Sequence, residues 1–294
     1  MPLTLLQRLS QVSGDELEVL RTVLRLHRLY RSVPVRVLRS RLGLSEGELY
    51  RRAGKLLELG LLAKGPVLQE EYSYELTRRG LDVIALWDLI KKGVIAELGE
   101  RIGVGKESEV YVAWTPSGAP VVVKLHKEGL RQFKEVARKR SSYQGSDWID
   151  LSTRVASREF TALVLVSRVG GLVPKPITQH LHAVVMEYIE GSPLSQRRDL
   201  DVDGALKVLD DVVHTVALAY REAGIVHGDL SPYNVLVEAA SSRGYVIDWP
   251  QYVRSGDQLA ERLLEADVEH IVAFYNTVFG LNLSVEDLLA KIKG

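Results

Sequence analysis

The stretch His227-Gly228-Asp229-Leu230-Ser231-Pro232-Tyr233-Asn234-Val235-Leu236-Val237 constrains this chain more than any other. A carboxylate, Asp229, sits on a short polar loop. An amide, Asn234, follows it and opens an apolar run that reads as a strand. A second apolar run, Tyr245-Val246-Ile247, ends in another carboxylate, Asp248. Two short strands joined by a turn would place Asp248 beside Asn234. The result is one carboxylate able to accept a proton and an oxygen pair suited to Mg2+, a hard cation that takes oxygen ligands and usually holds substrate phosphates as well. Singly, Asp and Asn are ordinary turn residues, and an isolated H-x-D with a later Asn is usually chance. Here the β-branched flanks, Ile225-Val226 and Val235 to Val237, set the polar residues at strand ends.

The chain has 294 residues, enough for a small domain and a larger one. No stretch approaches the roughly 20 apolar residues of a membrane span. The start, MPLTLLQRLSQVSGDE, lacks a cleavable signal pattern, so an intracellular, cytoplasmic protein is expected, as a monomer and without a membrane partner. The absence of cysteine removes disulfides, cysteine nucleophiles and Cys-based zinc sites. The seven histidines form no HExxH and no close cluster, so zinc is not expected. Charge is zero overall but unevenly spread. Residues 1–80 hold 14 basic and 9 acidic side chains, or +5, and the remainder 24 and 29, or −5. A basic first domain points to a polyanionic partner, although a solvated basic face is the commoner meaning of so modest an excess.

Ser13 and Glu16 have capping-box spacing and start a helix carrying Leu17, Leu20 and Leu24. Pro34 opens a second, from Val35 to Leu42. Ser45 caps a third, again with a box (Ser45, Glu48), with Leu49, Leu56, Leu57 and Leu59 on its apolar side. Gly60 stops it. Leu61-Leu62-Ala63 and Tyr72 to Leu76 then read as a two-stranded ribbon. This order is a winged helix-turn-helix, whose second helix of the pair enters a nucleic-acid groove. Arg51, Arg52 and Lys55 are the candidate phosphate contacts, while protein docking is the other common use of this module. Leu81 to Ile90 reads as an amphipathic helix joining two domains. The expected division is 1–80, a linker helix 81–92, and 93–294.

In the second domain, Ile95 to Ile102 reads as a strand, followed by the glycine-bearing turn Gly103-Val104-Gly105-Lys106-Glu107-Ser108-Glu109-Val110. Exposed backbone N–H groups of such turns are good phosphate donors, though two glycines in a hairpin are mostly just a hairpin. A lysine, Lys124, ends the apolar run Val121-Val122-Val123. Lys127 to Asp150 reads as a basic insert, equally well a plain solvated loop. Ser157-Arg158-Glu159-Phe160 begins a helix running through Val166. Pro174 and Pro176 break the chain, His182 to Met186 is a strand, and Glu187 to Gly191 a hinge.

GVGKESEV, VVVKLHK, SREF, VVMEYIEG, HGDLSPYNVLV and IDWPQ thus occur in order. The chain resembles a RIO kinase, of the archaeal type with an N-terminal winged helix, over almost its whole length. The resemblance implies an α+β fold: the winged helix, then a minimal two-lobed kinase-like domain with N-lobe 93–186, hinge 187–192 and C-lobe 193–294. No APE motif follows, little room is left for an activation loop, and Asp248-Trp249-Pro250 stands where ordinary kinases have DFG. It implies Asp229 as catalytic base, with Asn234 and Asp248 as ligands of Mg2+ or Mn2+. Lys124 would contact the ATP phosphates and be held by Glu159. Gly103, Gly105, Lys106, Glu107, Ser108 and Val110 would surround the phosphates, and Met186, Glu187 and Ile189 the adenine. It implies an ATP-dependent serine kinase or ATPase, with phosphoryl transfer to Asp248 itself, acting on pre-ribosomes and their RNA in small-subunit maturation.

Two other readings stay open at this point. The winged helix could be the working part of a nucleic-acid regulator, with the second domain only sensing nucleotide. A small-molecule phosphotransferase also uses an HxDxxxxN loop and lacks APE, although GKES, IDWPQ and the winged helix fit it less well.

Overall fold

The computed structural model describes residues 3–67, 71–105, 107–127 and 147–294. The chain divides into two units, one of residues 1–100 with 113–119, the other of 101–112 with 120–294. The protein is α+β.

In the first unit, helices α1 (Leu5–Gln11), α2 (Gly14–Leu26), α3 (Val35–Leu42), α4 (Glu46–Glu58) and α5 (Arg78–Lys91) surround a small sheet. Local chemistry sets their ends. The Ser13 amide donates to the Glu16 carboxylate at 2.6 Å, and Ser45 Oγ accepts from the Glu48 amide at 3.3 Å. Gly43, at φ +64°, ends α3 in the left-handed conformation that glycine tolerates best. The Glu48 side chain is bound instead by Arg51 and Arg52, so the second expected capping box is only half made.

Three expectations for this unit are corrected. Helix α1 has no counterpart among the helices expected from the sequence, because seven residues carry too little periodicity to read. The wing has three strands, not two: β1 (Val33–Pro34), β2 (Leu62–Lys64) and β3 (Ser73–Leu76) pair in the order β1-β3-β2. A two-residue strand ending in proline, which lacks a donor, gives almost no sequence signal and is tolerated at an edge. Finally, α5 is not amphipathic. Residues 80–86 are all buried, including Asp82, whose carboxylate accepts from Arg78 and Arg79, and the helix packs on α1 and α2. An Asp amid that apolar run imitates a polar face in the sequence.

The second unit begins within a five-stranded sheet of β4 (Glu97–Val104), β5 (Ser108–Trp114), β6 (Pro120–His126), β7 (Pro176–His180) and β8 (Ala183–Glu187), in the order β4-β5-β6-β8-β7. Strand β7 is hidden in the sequence by Pro176, its first residue. As an edge strand, β7 can start on a residue without an N–H. Helix α6 (Trp148–Arg168) packs on this sheet and starts nine residues before the Ser157 expected from the sequence, with Asp147 as its cap. The residues between 148 and 156 are mixed in polarity and merge with the expected basic insert. That insert otherwise falls mostly on 128–146, outside the described residues.

The remainder holds β9 (Gly191–Pro193), α7 (Val202–Arg221), β10 (Ile225–Val226), β11 (Val235–Glu238), β12 (Gly244–Val246), β13 (Val253–Arg254), α8 (Ala260–Phe279) and α9 (Val285–Lys293). Strands β12-β11-β9 form one sheet, and β10 pairs with β13. One apolar core joins α6, α7, α8 and α9, with Trp249 and Tyr275 fully buried in it. Among the described residues no helix is long and apolar enough to cross a membrane.

Candidate active site

Side chains alternate along a strand, so Lys124 and His126 of β6 leave on the same face, toward α6. Glu159 of α6 meets both. Lys124 Nζ donates to Glu159 Oε1 at 2.7 Å, and His126 Nε2 lies 2.5 Å from Glu159 Oε2. Lys124 also donates to Asp248 Oδ1 at 2.8 Å. Glu159 and His126 are each 1% exposed. Burial alone would neutralise Lys124, yet Glu159 and Asp248 together raise its affinity for the proton above the ordinary value. Burial would likewise protonate Glu159, but Lys124 and His126 outweigh it and hold the carboxyl down at about 2. Lys124 and Glu159 are therefore both held in their ionised forms.

The strand pair expected from the sequence is present. Val235 pairs with Val246, and the Ile247 amide donates to the Asn234 carbonyl at 2.9 Å. Asp248 follows in the left-handed region, at φ +67°, unusual for a residue with a side chain. Asn234 Nδ2 donates to the Asp229 carbonyl at 2.8 Å, which leaves its amide oxygen to the cavity side. Asp229 itself is exposed. Partial burial raises its proton affinity; His227 opposes this, and the nearby charges of Asp248 and Glu107 add to it.

The loop carrying Asp229 is held from behind by residues outside the set expected from the sequence. Asp267 of α8, 2% exposed, accepts from the Gly228 amide at 2.8 Å and the Leu230 amide at 2.7 Å. His227 Nε2 lies 3.0 Å from the Ile247 carbonyl, and its ring is 4.5 Å from that of Trp249. Asp267 shares a helix face with Leu264, Val268 and Ile271, all buried, and an acid on an apolar stripe is the available signal. Asp267→Asn keeps one acceptor and turns an NH2 group onto the other amide. An unsatisfied buried donor costs about 1–3 kcal/mol. Urea unfolding should show a loss of that size, with slower turnover.

A cavity of about 410 Å3 joins these parts. Its wall includes Gly103, Gly105, Ser108 and Val110, Lys124 and Glu159, Met186, Glu187 and Ile189, and Asn234 and Asp248. Lys106 lies outside the described residues. Glu107 is not on the cavity wall; its carbonyl accepts from the Lys127 amide at 2.6 Å. Among the described residues no group of three acidic, His or Cys side chains could cage a metal ion. The oxygens of Asn234 and Asp248 fit a cation that also takes ligands from its substrate.

In the first unit, the three basic residues of α4 are each paired. Arg51 meets Glu48 at 2.8 Å, Arg52 meets Glu48 at 2.8 Å and Asp15 at 3.0 Å, and Lys55 meets Glu16 at 3.1 Å.

Sequence comparison matches residues 109–288 to the RIO domain. The chain belongs to the RIO family. Residues 9–92 match the N-terminal domain of Rio2, so this RIO chain carries the winged-helix domain of that branch, and it is an atypical kinase. It is 29% identical over 268 residues to the serine/threonine-protein kinase rio2 of Schizosaccharomyces pombe, covering 90% of this chain and 76% of that protein. Identity to the Rio2 kinase of Saccharomyces cerevisiae is 31%, over 90% of this chain and 64% of the yeast protein. For the RIO-type Rio2 kinase of Methanocaldococcus jannaschii it is 32%, over 72% and 79%. The fold matches the crystal structure of the Chaetomium thermophilum Rio2 kinase in its ADP/Mg2+-phosphoaspartate complex, with TM-score 0.80, 24% identity, and coverage of 96% of this chain and 87% of the other.

Proposed function

We propose that this RIO kinase is an ATP-dependent serine kinase and ATPase, requires Mg2+, transfers phosphate in part to its own Asp248, and serves small ribosomal subunit maturation in the cytoplasm. One observation carries the reading: Lys124 is shared between buried Glu159 and Asp248, whose side chain is 42% exposed on the cavity wall. A lysine so held presents a fixed charge to phosphate oxygens without reorganising. Of its two carboxylate partners, Asp248 is the one a phosphoryl group can reach.

Asn234 and Asp248 would hold the cation, which when bound neutralises charge on the phosphate oxygens. The turn with Gly103, Gly105 and Ser108 would cover the phosphates, and the main chain at Glu187 and Ile189 would take the adenine. In transfer to the enzyme, an Asp248 oxygen bonds to the γ-phosphorus as the bridging oxygen bond to ADP breaks. Water then attacks that phosphorus with Asp229 accepting its proton, which regenerates the Asp248 carboxylate and releases phosphate. With a serine hydroxyl as acceptor, Asp229 takes the hydroxyl proton instead. The phosphoaspartate named in the Chaetomium complex supports looking for the same species here.

The +5 charge of residues 1–80 supports an RNA-rich partner, the pre-ribosomal small subunit, for the first unit. The ion pair of Arg51, whose side chain is 65% exposed, is no obstacle, since exposed pairs are worth about 0.2–1 kcal/mol and phosphates can compete for it, whereas the Arg52 side chain and the Glu16 partner of Lys55 are less exposed.

The test is phosphorylation of the purified protein with γ-labelled ATP and Mg2+. Hydroxylamine-labile label that vanishes in Asp248→Asn supports the ATPase cycle. Acid-stable label on serine, lost in Asp229→Ala, assigns a hydroxyl kinase. ATP hydrolysis as fast in Asp229→Ala as in wild type overturns both.

A further inference from the structure

Asp248 is held in a conformation that costs an ordinary residue energy, and such positions persist only where their surroundings over-determine them. On the upstream side, the Ile247 amide and carbonyl are tied to Asn234 and His227. Trp249 is fully buried and donates through Nε1 to the Val246 carbonyl at 3.1 Å. Downstream, one side chain from another element holds the main chain. Arg158 of α6 donates through Nε to the Pro250 carbonyl at 3.0 Å and through Nη2 to the Tyr252 carbonyl. Its guanidinium carbon also stacks 4.5 Å from the centre of the Tyr252 ring.

Arg158 is the immediate neighbour of Glu159. The same turn of α6 thus reaches Asp248 twice: through Glu159 and Lys124 to the carboxylate, and through Arg158 to the backbone just beyond it. A planar fork with fixed N–H directions can bridge two carbonyls while stacking on a ring, and a lysine cannot do both.

We propose that Arg158 is a positioning residue for the reaction: its fork fixes the segment Pro250–Tyr252 and thereby keeps Asp248 turned toward Lys124 and the cation position. The proposal rests on the reading that Asp248 ligates Mg2+.

The experiment measures ADP binding by calorimetry on the full chain, with Mg2+ and with EDTA, for wild type, Arg158→Ala, Arg158→Lys and Asp248→Asn. Thermal unfolding is recorded for each. The ratio of the two affinities reports cation capture at Asp248. In both Arg158 variants that ratio should fall by roughly tenfold or more, the scale of losing hydrogen bonds from a charged donor. The EDTA affinity should fall less than the Mg2+ affinity, because the adenine side and the Lys124–Glu159 pair are untouched. Arg158→Lys preserves charge and bulk, so it serves if the alanine variant fails to fold. A ratio within twofold of wild type in a folded Arg158 variant overturns the clamp, even if its unfolding temperature drops, since a purely structural tether would produce that pattern. If Asp248→Asn keeps the wild-type ratio, Asp248 is not a cation ligand. The underlying reading then fails first and the clamp with it.

Discussion

Replacing Asp229 by Asn should lower kcat by about 10²–10⁴, the usual contribution of a positioned general base. KM for ATP should hardly move. Asp229 is exposed beside Asn234, and its own carbonyl, which the substitution keeps, is what receives the Asn234 amide. Stability should stay within about 0.5 kcal/mol of wild type, as for surface changes generally. The pH profile supplies an independent check. Burial, with the charges of Asp248 and Glu107 and against that of His227, raises the proton affinity of Asp229 above the ordinary 3.8. The acid limb of kcat/KM should therefore lie above that value in wild type and be absent from the residual activity of the variant. An unchanged limb would assign the titration, and the base, to another group.

Glu159→Gln should be the most destabilising single change in the site. It leaves Lys124 and His126 buried without the carboxylate that both face. Breaking a buried pair from one side typically costs about 3–5 kcal/mol. The glutamine oxygen keeps one acceptor for Lys124, so the lower end of that range is expected. ATP affinity should fall as well, because Lys124 loses one of the two groups that aim it. Acid unfolding should change in parallel. Glu159 titrates at about 2 in the folded protein against 4.5 as its ordinary value. A depressed carboxylate stabilises the fold above its unfolded pKa, and that contribution drains away as pH falls from about 5 toward 2. A tenfold change in proton affinity is worth about 1.4 kcal/mol, so the whole contribution is about 3 kcal/mol. Urea midpoints between pH 7 and 3 should fall more steeply for wild type than for Glu159→Gln. Parallel curves would mean the carboxylate is not held down as described.

The parts of the site legible in the sequence are those set by local order. Asp229, Asn234 and Asp248 lie at the ends of short strands, and the hairpin that joins them is encoded within one short stretch. Lys124 is readable as a lysine on an apolar strand, although the strand runs on to His126, and Glu159 as an acid in a helix, although that helix starts well before it, at Trp148. His126, Arg158 and Asp267 are not, because each owes its role to a partner distant in sequence: Glu159, the Pro250 and Tyr252 carbonyls, and the loop at Gly228. Proline hides two strands, β1 and β7, since it argues against a strand everywhere except at an edge, and edges are a property of the assembled sheet. The length of α6 is hidden differently. Its first turns, from Trp148 to Arg154, mix apolar and charged letters with no clear stripe, and burial of Ile149 and Ser152 depends on what packs there. In the first unit the helix ends are readable from their caps, whereas the burial of Asp82 within α5 is set by Arg78 and Arg79.

Strand β9 leaves the stretch 187–190 and pairs at once with β11, so that Pro193 faces Leu236 and Gly191 faces Glu238. Strand β11 is also the one that Asn234 opens. The chain after Ile189 and the strand after Asn234, two residues of the cavity wall, are thus joined in a single ladder. A Cβ on Gly191 would press into the Val237 carbonyl, so the seam is too tight even for alanine. Any bending of the chain at 187–190 therefore has to end at Gly191, where the ladder with β11 begins.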